Sequence, residues 1–381
     1  MKTFYSFVSL IVLFLCFSCK GKQGNNTFLI GDTLKLEYAK NIEIIRYKNF
    51  TLINLKNPWK PQKHLVQYIV SKSKKHLNQR AFPHAIKVLV PLKRMVISTT
   101  THCWLVNQLN QTQHIAGVCD LSYIHVPKIV QLVQSKHIVD CGNSFYPNLE
   151  QIALLQPDAL WVSPLEDNRE QAKLLPLHIP LIMCADYMES HPLARAEWMR
   201  FYGILLGCEE QSNKLFNAVK MRYNALVLKA KKSTNKRSIL LEKPYENVWY
   251  CPAGHSTIGK MLSDANAYYA LSETPQSGSL PLTIEQVLAN FSTAQAWAFT
   301  YNAPINMRFS QISKLFKGVS LLKAYKNKQV YGCNAQLKPF YEETPFRPDL
   351  LLNDFIIMLH ANIGCVEKMR YYAKLDYRNA S

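Results

Sequence analysis

The sequence lacks the short motifs that mark several classes of protein. Leaving aside Cys16 and Cys19 near the amino terminus, the other eight cysteines and the eleven histidines form no C-x-x-C pair and no close His pair, which argues against a structural zinc site or an iron–sulfur cluster. There is also no glycine-rich phosphate loop, no G-x-S-x-G and no H-E-x-x-H motif. The signatures of common nucleotide-binding proteins, hydrolases and metalloproteases are therefore missing. We expect neither an enzyme nor a resident cofactor, and we assign no catalytic or metal-ligating residue.

Acidic residues are scarce. The 381 residues include 26 Asp and Glu against 45 Lys and Arg, for a net charge of +19. Such a balance is compatible with nucleic acid, an anionic membrane surface or an anionic ligand. We interpret the basic residues as scattered along the chain, and no nucleic-acid motif accompanies them. We therefore interpret the charge mainly as solvation and attraction to lipid head groups, and we expect no nucleic-acid partner.

The amino terminus has no apolar run long enough to cross a bilayer. Lys2 precedes a short apolar stretch, residues 7–17, which ends before Cys19 and a polar segment. This pattern predicts a signal peptide over residues 1–18. A Cys directly after a small residue resembles the lipobox of bacterial lipoproteins, although Cys16 and Phe17 occupy positions where that family prefers Leu and a small residue. We expect a periplasmic protein that is lipid-anchored to the membrane at Cys19, with plain secretion as the alternative.

The remaining cysteines are isolated from one another in the sequence. We interpret them as buried small residues rather than catalytic thiols, and the sequence does not reveal any disulfide pairing. They are Cys103, Cys119, Cys141, Cys184, Cys208, Cys251, Cys333 and Cys365.

A long helix is predicted near the middle of the chain. Apolar residues recur at helical spacing between Glu209 and Lys232, with no Gly or Pro inside. Acidic residues at its start and lysines at its end suit the helix dipole, and its length is about 36 Å. Patterns of alternating strands and helices of similar size lie on either side. These features predict two lobes joined by a stiff helix, and the alternative is one long helix inside a single domain.

The predicted fold class is α/β, with two Rossmann-like lobes joined by a long rigid helix and a small N-terminal β extension. The extension is predicted from alternating, β-branched and aromatic residues over positions 28–60. The predicted boundaries are a signal peptide at 1–18, a lipid-anchored tail and β extension at 19–85, an N-terminal lobe at 86–190, the inter-lobe helix at 191–235 and a C-terminal lobe at 236–381.

A weak internal repeat supports two similar lobes. Glu150 opens a predicted helix that is followed by a strand containing Trp161, and Glu285 opens another that is followed by a strand containing Trp297. Each Glu lies in or near the first helical turn, where the helix dipole favours a negative charge. Two similar lobes would therefore present two acidic side chains on one surface. The alternative is that both carboxylates only stabilise their helices.

Several stretches, taken in order, carry a family resemblance. They are RMVISTTTHCWLVNQL, HIAGVCD, PNLEQIALLQPDALWV, DYMESHPLARAEWMRFYGILLGCEE, VWYCPAGHSTIGKMLSDANAYY, SGSLPLTIEQVLA and FRPDLLLNDFIIMLH. The chain from about Tyr38 onward resembles the substrate-binding lipoproteins of ABC importers, in the class with a rigid inter-lobe helix that serves iron siderophores, haem and cobalamin. The branch found in Bacteroidetes is the most similar.

This resemblance implies a monomeric binding protein that holds its cargo between two lobes with little hinge motion. The implied partners are a small-molecule metal chelate or corrinoid and an ABC permease in the inner membrane. By motif, Glu150 and Glu285 would dock onto arginines of the permease. The favoured cargo is an iron(III)-siderophore-type chelate, with cobalamin or haem as alternatives.

Residues of the cleft carry over less directly, since the pocket varies with the ligand. Aromatic side chains would cover a flat chelate, hydroxyl groups would bind its rim, and Arg195 or a histidine would meet an anionic edge. The alternative for His102 is a position in the core, and the alternative for Arg195 is an ion pair with Glu189 or Glu197. The candidates are Thr101, His102, Tyr123, Phe145, Tyr146, Arg195, Trp249, Tyr250, His255 and Ser256.

One stretch departs from the family pattern. Relatives often carry Gly-Gly-Asn-Asp-Tyr-Trp-Glu before the closing helix, where this chain has QLKPFYEETPFRPD at 336–349 and keeps only Tyr341 and Glu342. This leaves the ligand's identity open. Two functions of other classes also remain as alternatives. One is a structural or adhesion lipoprotein, and the other is an enzyme using Thr101, His102 and Asp120, for which no oxyanion site is evident.

Overall fold

The computed structural model describes residues 30–167, 172–360 and 368–376. The predicted signal peptide and Cys19 lie outside these ranges. None of the helices within them is both long and apolar enough to span a bilayer.

The N-terminal extension is a five-stranded sheet in which the strands follow chain order. All neighbours are antiparallel except the last two, which are parallel. Because the sheet continues through Leu89, it ends four residues beyond the boundary predicted at 85. The strands are β1 (Asp32–Thr33), β2 (Ile42–Arg46), β3 (Thr51–Lys56), β4 (His64–Ser71) and β5 (Ile86–Leu89).

Alternating side chains give this sheet apolar residues on both faces. Ile44, Ile53 and Tyr68 pack into the main core of the protein. On the other face, Leu52 and Ile69 join a separate small core with residues of the segment between β4 and β5. The sheet is therefore covered on both sides.

The N-terminal lobe contains a parallel sheet with the order β10-β9-β6-β7-β8. Its three central strands are apolar and buried, as expected for a parallel sheet covered on both faces. The strands are β6 (Met95–Ile97), β7 (Ile115–Val118), β8 (Val139–Asp140), β9 (Ala159–Val162) and β10 (Leu181–Met183). The helices described in this lobe are α1 (Thr100–Gln108), α2 (Pro127–Gln134) and α3 (Leu149–Leu155).

Three consecutive helices connect the lobes: α4 (Pro192–Glu197), α5 (Met199–Leu206) and α6 (Glu209–Ala230). Gly207 ends α5 with a φ of +68°, and a Cβ there would lie 2.9 Å from the Pro91 side chain, so glycine is required. Helix α6 has 22 residues and is therefore about 33 Å long. Its buried face packs against α5 and the closing helix of the C-terminal lobe.

The C-terminal lobe has a second sheet, in the order β11-β14-β15-β16, whose first three strands are parallel. Tyr250 lies outside this sheet, in a separate antiparallel pair of strands, β12 with β13. The strands are β11 (Ile239–Leu241), β12 (Trp249–Pro252), β13 (Ser279–Leu282), β14 (Ala296–Tyr301), β15 (Val330–Asn334) and β16 (Ala373–Lys374). The helices are α7 (Thr257–Asp264), α8 (Ile284–Phe291), α9 (Lys323–Lys326), α10 (Phe340–Glu343) and α11 (Pro348–Leu359).

The internal repeat predicted from the sequence corresponds to equivalent elements of the two lobes. Glu150 lies in the first turn of α3, and Glu285 lies in the first turn of α8. Trp161 in β9 and Trp297 in β14 are both fully buried. Each lobe therefore contains a helix with an exposed acidic start, followed by a strand with a core tryptophan.

Two buried carboxylates fasten the extension to the inter-lobe connection. Glu197 accepts hydrogen bonds from the backbone N–H groups of residues 37, 38 and 39 at 2.8–2.9 Å. Glu189 accepts from the N–H groups of residues 40 and 41 and from Trp198 Nε1. Both side chains are at least 96% buried. Hydrogen bonds from five successive N–H groups therefore stabilise carboxylates that would otherwise be costly to bury.

We predict that Glu197→Ala lowers the free energy of unfolding by about 2–4 kcal/mol, because three N–H groups lose a charged acceptor in a water-poor position. Urea denaturation followed by far-UV circular dichroism measures this change. The control is Glu210→Ala, which removes an exposed carboxylate of α6 that pairs with Lys214. If the two variants unfold at the same urea concentration as the wild type, the carboxylates do not stabilise the attachment.

Candidate functional site

The cleft lies between the carboxyl ends of the two parallel sheets. In the N-terminal lobe, β6 and β7 end just before Thr100 and Asp120, and in the C-terminal lobe β14 and β15 end just before Asn302 and Ala335. All four residues line one cavity of about 530 Å³. Open α/β sheets bind their ligands at this edge.

Both lobes supply polar and aromatic groups to this first cavity. The N-terminal lobe contributes Asp120, Ser122, Tyr123 and His125, and the C-terminal lobe contributes Asn302, Gln336, Lys338, Tyr341 and Glu342. Tyr123 and Tyr341 are 65% and 56% exposed, so their rings are available to a ligand. The cavity is large enough for a small-molecule ligand.

The divergent stretch 336–347 bridges the lobes at this cavity. Glu342 accepts hydrogen bonds from the His125 backbone N–H and faces His125 Nδ1 at 2.8 Å, while His125 Nε2 donates to the Gln336 carbonyl at 2.9 Å. Burial raises the pKa of Glu342, although its bonds to His125 oppose this. The Thr101 hydroxyl donates to the Tyr341 carbonyl at 3.0 Å. The part of the chain that departs from the family pattern therefore forms one wall of the cleft.

Phe346 extends this bridge into the N-terminal lobe. It is fully buried and meets the rings of His102 and Tyr202 edge-on at 5.6 and 6.1 Å. Tyr202 in turn stacks on Trp161 at 5.0 Å. A residue that follows the C-terminal sheet is thus part of the aromatic core of the other lobe.

A second cavity of about 500 Å³ lies on the other side of Tyr341, which lines both. Arg195 and Tyr250, two of the cleft candidates named from the sequence, also line it. Glu242 reaches it from the end of β11 with a φ of +62°, and it accepts from the Thr300 hydroxyl at 3.1 Å. Burial raises the pKa of Glu242.

His102 does not line either cavity, and its core alternative is the one observed. It is 3% exposed, and its Nε2 lies 2.9 Å from Asp186 Oδ1 and 2.7 Å from the Tyr202 hydroxyl. Arg195 forms an ion pair with Asp186 Oδ2 at 3.0 Å, rather than with Glu189 or Glu197. Burial alone would raise the pKa of Asp186, but His102 and Arg195 outweigh it and lower this pKa to about 2.

The structure places three other candidates away from the cleft. Trp249 is fully buried and packs against Trp297 and Phe316, because β12 turns its indole inward. Ser256 is the N-cap of α7, where its hydroxyl accepts from the Gly259 N–H at 3.0 Å. His255 is exposed in a different groove, next to the extension. These assignments to the cleft were wrong.

The remaining candidates lie on exposed surface. Phe145 lines a small cavity of about 160 Å³ beside Ser98 and Thr99, and Tyr146 is 72% exposed. Glu150 and Glu285 are both exposed. Hydrogen bonds from the Glu285 backbone N–H and the Thr283 hydroxyl lower the pKa of Glu285, which keeps this carboxylate ionised.

The cysteines among the described residues are all buried and free. Burial raises the pKa of each of them, for example to about 11 for Cys141. This agrees with their interpretation as small core residues, and Cys365 lies outside the described ranges. No group of three or more His, Cys, Asp or Glu side chains in the described part of the chain is arranged to hold a metal ion.

Several cleft residues were missed by sequence reasoning. Asp120, His125 and Lys338 line the first cavity and Glu242 lines the second. Of these, sequence reasoning considered only Asp120, and then for catalysis. Asp120, Glu242 and Lys338 each come shortly after a strand, near the carboxyl end of a sheet. That position in the sequence is the signal that could have identified them. The bridge from His125 to Glu342 spans 217 positions of sequence, and no local pattern indicates it.

Comparison with known proteins identifies the family. A sequence profile described as "Periplasmic binding protein" matches residues 98–337, which is well over half of the chain. The chain belongs to the periplasmic binding protein family. The resemblance inferred from the sequence motifs is thereby confirmed, as is the two-lobed α/β fold.

Solved structures of several family members share the fold of this periplasmic binding protein. The TroA-like protein FepB from Veillonella parvula aligns with a TM-score of 0.57 and 16% identity, covering 75% of this chain and 95% of its own. A periplasmic haem binding protein from Pseudomonas aeruginosa aligns with a TM-score of 0.59 and 14% identity, over 75% of this chain and 99% of its own. An uncharacterized lipoprotein of Methanocaldococcus jannaschii is 24% identical over 371 residues, which are 90% of this chain and 86% of that protein.

The Asp186 network gives a prediction for the pH dependence of stability. The pKa of Asp186 is lowered from 3.8 to about 2 in the folded protein, so its contribution is present above pH 3.8 and is lost as the pH falls through 2. We expect wild-type stability to fall by about 2 kcal/mol more than that of Asp186→Asn between pH 4 and pH 2. Urea denaturation at stepped pH measures this difference. The exposed Asp32→Asn is the control, and a wild-type slope in Asp186→Asn would contradict the assignment.

Proposed function

We propose that this periplasmic binding protein is the substrate-binding component of an ABC importer. It captures a metal chelate of the iron(III)-siderophore type between its lobes and delivers it to an inner-membrane permease. The observation that supports this role is the cleft itself, where the carboxyl ends of two parallel sheets enclose two cavities of about 500 Å³ each. No step of chemistry is part of this role, so the protein binds and releases its cargo unchanged.

The aromatic lining of the cleft suits a large chelate. Tyr123 and Tyr341 line the first cavity and Tyr250 lines the second, and between 49% and 65% of each side chain is exposed. Such rings provide large apolar contact surfaces, and their hydroxyl groups provide hydrogen bonds at the rim. Tyr341 belongs to both cavities, so a ligand that fills either one touches it.

The charges around the cleft favour a chelate of low net charge. Arg195 is paired with Asp186, and His125 is paired with Glu342. Lys338 and Lys243 are balanced by Asp120 and Glu242 in the same cavities. A strongly anionic ligand would need a surplus of positive charge that these groups do not provide. Among ferric siderophores, this argument favours a hydroxamate over a highly charged catecholate.

Other cargoes of the same class are the alternative within this proposal. One solved relative is a periplasmic vitamin B12 binding protein of Vibrio cholerae, with a TM-score of 0.53 and 15% identity over 70% of this chain and 96% of its own. The haem binding protein described above has the same fold. A corrinoid or haem would use the same aromatic surfaces, so the binding experiment below includes both.

We also propose that the exported protein is anchored to the membrane by a lipid on Cys19. The relative from Methanocaldococcus jannaschii is described as a lipoprotein, which supports this proposal. Incorporation of radioactive fatty acid in the wild type, and its loss in Cys19→Ser, is the measurement that decides it.

The cleft assignment predicts that Tyr341→Ala weakens chelate binding at least about ten-fold, since the ring contacts ligand in either cavity. Isothermal titration calorimetry with a ferric trihydroxamate, cyanocobalamin and haemin measures the affinities. The control is Tyr268→Ala, which removes a tyrosine of similar exposure, 61%, that lines neither cavity. If the wild type binds none of the three, or if both variants bind equally well, the proposed site is incorrect.

The docking assignment predicts that Glu150→Lys combined with Glu285→Lys abolishes uptake while ligand affinity stays unchanged. Both carboxylates are exposed at helix starts outside the cavities, so their loss affects the permease contact only. Uptake of labelled cargo in cells and calorimetry on the purified variant measure the two properties. Glu210→Lys combined with Glu273→Lys is the matched control, with the same change in charge at exposed positions. Full uptake by the first variant would disprove docking through these residues.

A further inference from the structure

The net charge of the protein is concentrated in one part of the chain. Residues 44–119 contain twelve Lys and Arg and no Asp or Glu, in a chain whose net charge is +19. This region comprises most of the N-terminal extension and the first elements of the following lobe. The sequence-based view that the basic residues are scattered was therefore incorrect.

The extension precedes the part of the chain that the family profile matches. The family match begins at residue 98. The solved relatives align over 95–99% of their own chains but over only 70–75% of this one. All twelve of these Lys and Arg residues therefore lie before the region that the family profile matches.

The basic residues of the segment between β4 and β5 point away from the protein. Leu77, Phe82 and Ala85 of this segment pack onto Phe50 and other residues of the sheet. The opposite face of the sheet packs into the main core. The segment is therefore the outer cover of the sheet, and its charged side chains lie on the outer surface. Lys72, Lys74, Lys75, Arg80 and Lys87 are all exposed, and we call these five residues the basic face.

The basic face is not neutralised by the rest of the described chain. Lys72, Lys74, Lys75 and Arg80 form no salt bridge with any Asp or Glu in the described ranges, and the contact of Lys87 is with the neutral side chain of Asn78. Five uncompensated cations in sixteen residues produce a local positive potential. Such a surface attracts an anionic partner.

We propose that the basic face binds the anionic surface of a lipid membrane. This inference rests on the proposed export and on the anchor at Cys19, which precedes Ile30 by eleven residues. A fully extended chain of that length reaches at most about 40 Å, so the extension is held within that distance of the bilayer. Exposed lysines near a membrane rich in anionic lipid each strengthen binding, and the effect is lost at high salt. The basic face then acts as the second attachment that a single lipid anchor needs for stable association.

Co-sedimentation with lipid vesicles tests this proposal on the chain from residue 20 onward, which retains all described residues. The vesicles contain phosphatidylcholine alone or with 30 mol% phosphatidylglycerol. We expect binding only to the mixed vesicles and its loss when NaCl is raised from 50 to 500 mM. Lys72→Glu, Lys74→Glu and Lys75→Glu together should weaken binding on the order of 100-fold or more, since each cation contributes about five-fold.

The matched control is Lys231→Glu, Lys232→Glu and Lys236→Glu, which changes the net charge equally at exposed positions beyond α6. We expect it to retain vesicle binding. Equal loss in both triple variants, or no wild-type binding to phosphatidylglycerol, would overturn the proposal. So would a variant defect seen with duplex DNA but not with vesicles. Calorimetry with the metal chelate is run on the same preparations, so folding and cargo binding are judged separately from membrane binding.

Discussion

Three buried carboxylates on the inter-lobe connection constrain the rest of the structure. Asp186, Glu189 and Glu197 are each at least 96% buried, and a buried charge is tolerated only when donors surround it. Asp186 is satisfied by side chains of the N-terminal lobe and the connection, while Glu189 and Glu197 take backbone N–H groups of the extension. Each set includes a group from a distant part of the chain, so the extension, the lobe and the connection must meet at one place. A displacement of any of them would leave an unpaired carboxylate in the interior.

The lobes are joined a second time by the stretch 336–347, which changes how the cleft can open. Phe346 is buried among rings of the other lobe, and withdrawing such a side chain into water costs about 2 kcal/mol or more. The bond network of Glu342 with His125 would break in the same movement. Wide separation of the lobes is therefore opposed both at the connection and across the cleft. In the proposed function, the cavities on either side of Tyr341 would therefore be largely formed before ligand binds.

Local signals predicted the framework well, and long-range contacts account for most errors at the site. Helix α6 and the acidic helix starts at Glu150 and Glu285 follow from periodicity and capping, which depend on residues a few positions apart. His102 follows a strand as a ligand-binding residue would, but its role is decided by Asp186, 84 positions later. Trp249 occupies a strand that could present its ring to either side, and only the packing of Trp297 and Phe316 fixes its direction. Position at a sheet edge therefore indicates where a cleft lies, while the residues that reach it depend on tertiary packing.

The positions of the charged residues separate two effects that a single net charge does not distinguish. One is the electrostatic potential inside the cleft, and the other is the attraction of the whole protein to charged surfaces. A net charge of +19 invites the inference of an anionic ligand, yet charges of both signs line the cavities and balance one another. At physiological salt, exposed charges more than about 8 Å apart are largely screened from each other, so the lysines of the extension contribute little to the potential inside the cleft. In the proposed function, ligand choice would consequently be set by the few groups that line the cavities. The positive surplus lies in the segment that precedes the family match, where it affects what the whole protein approaches rather than what the cleft retains.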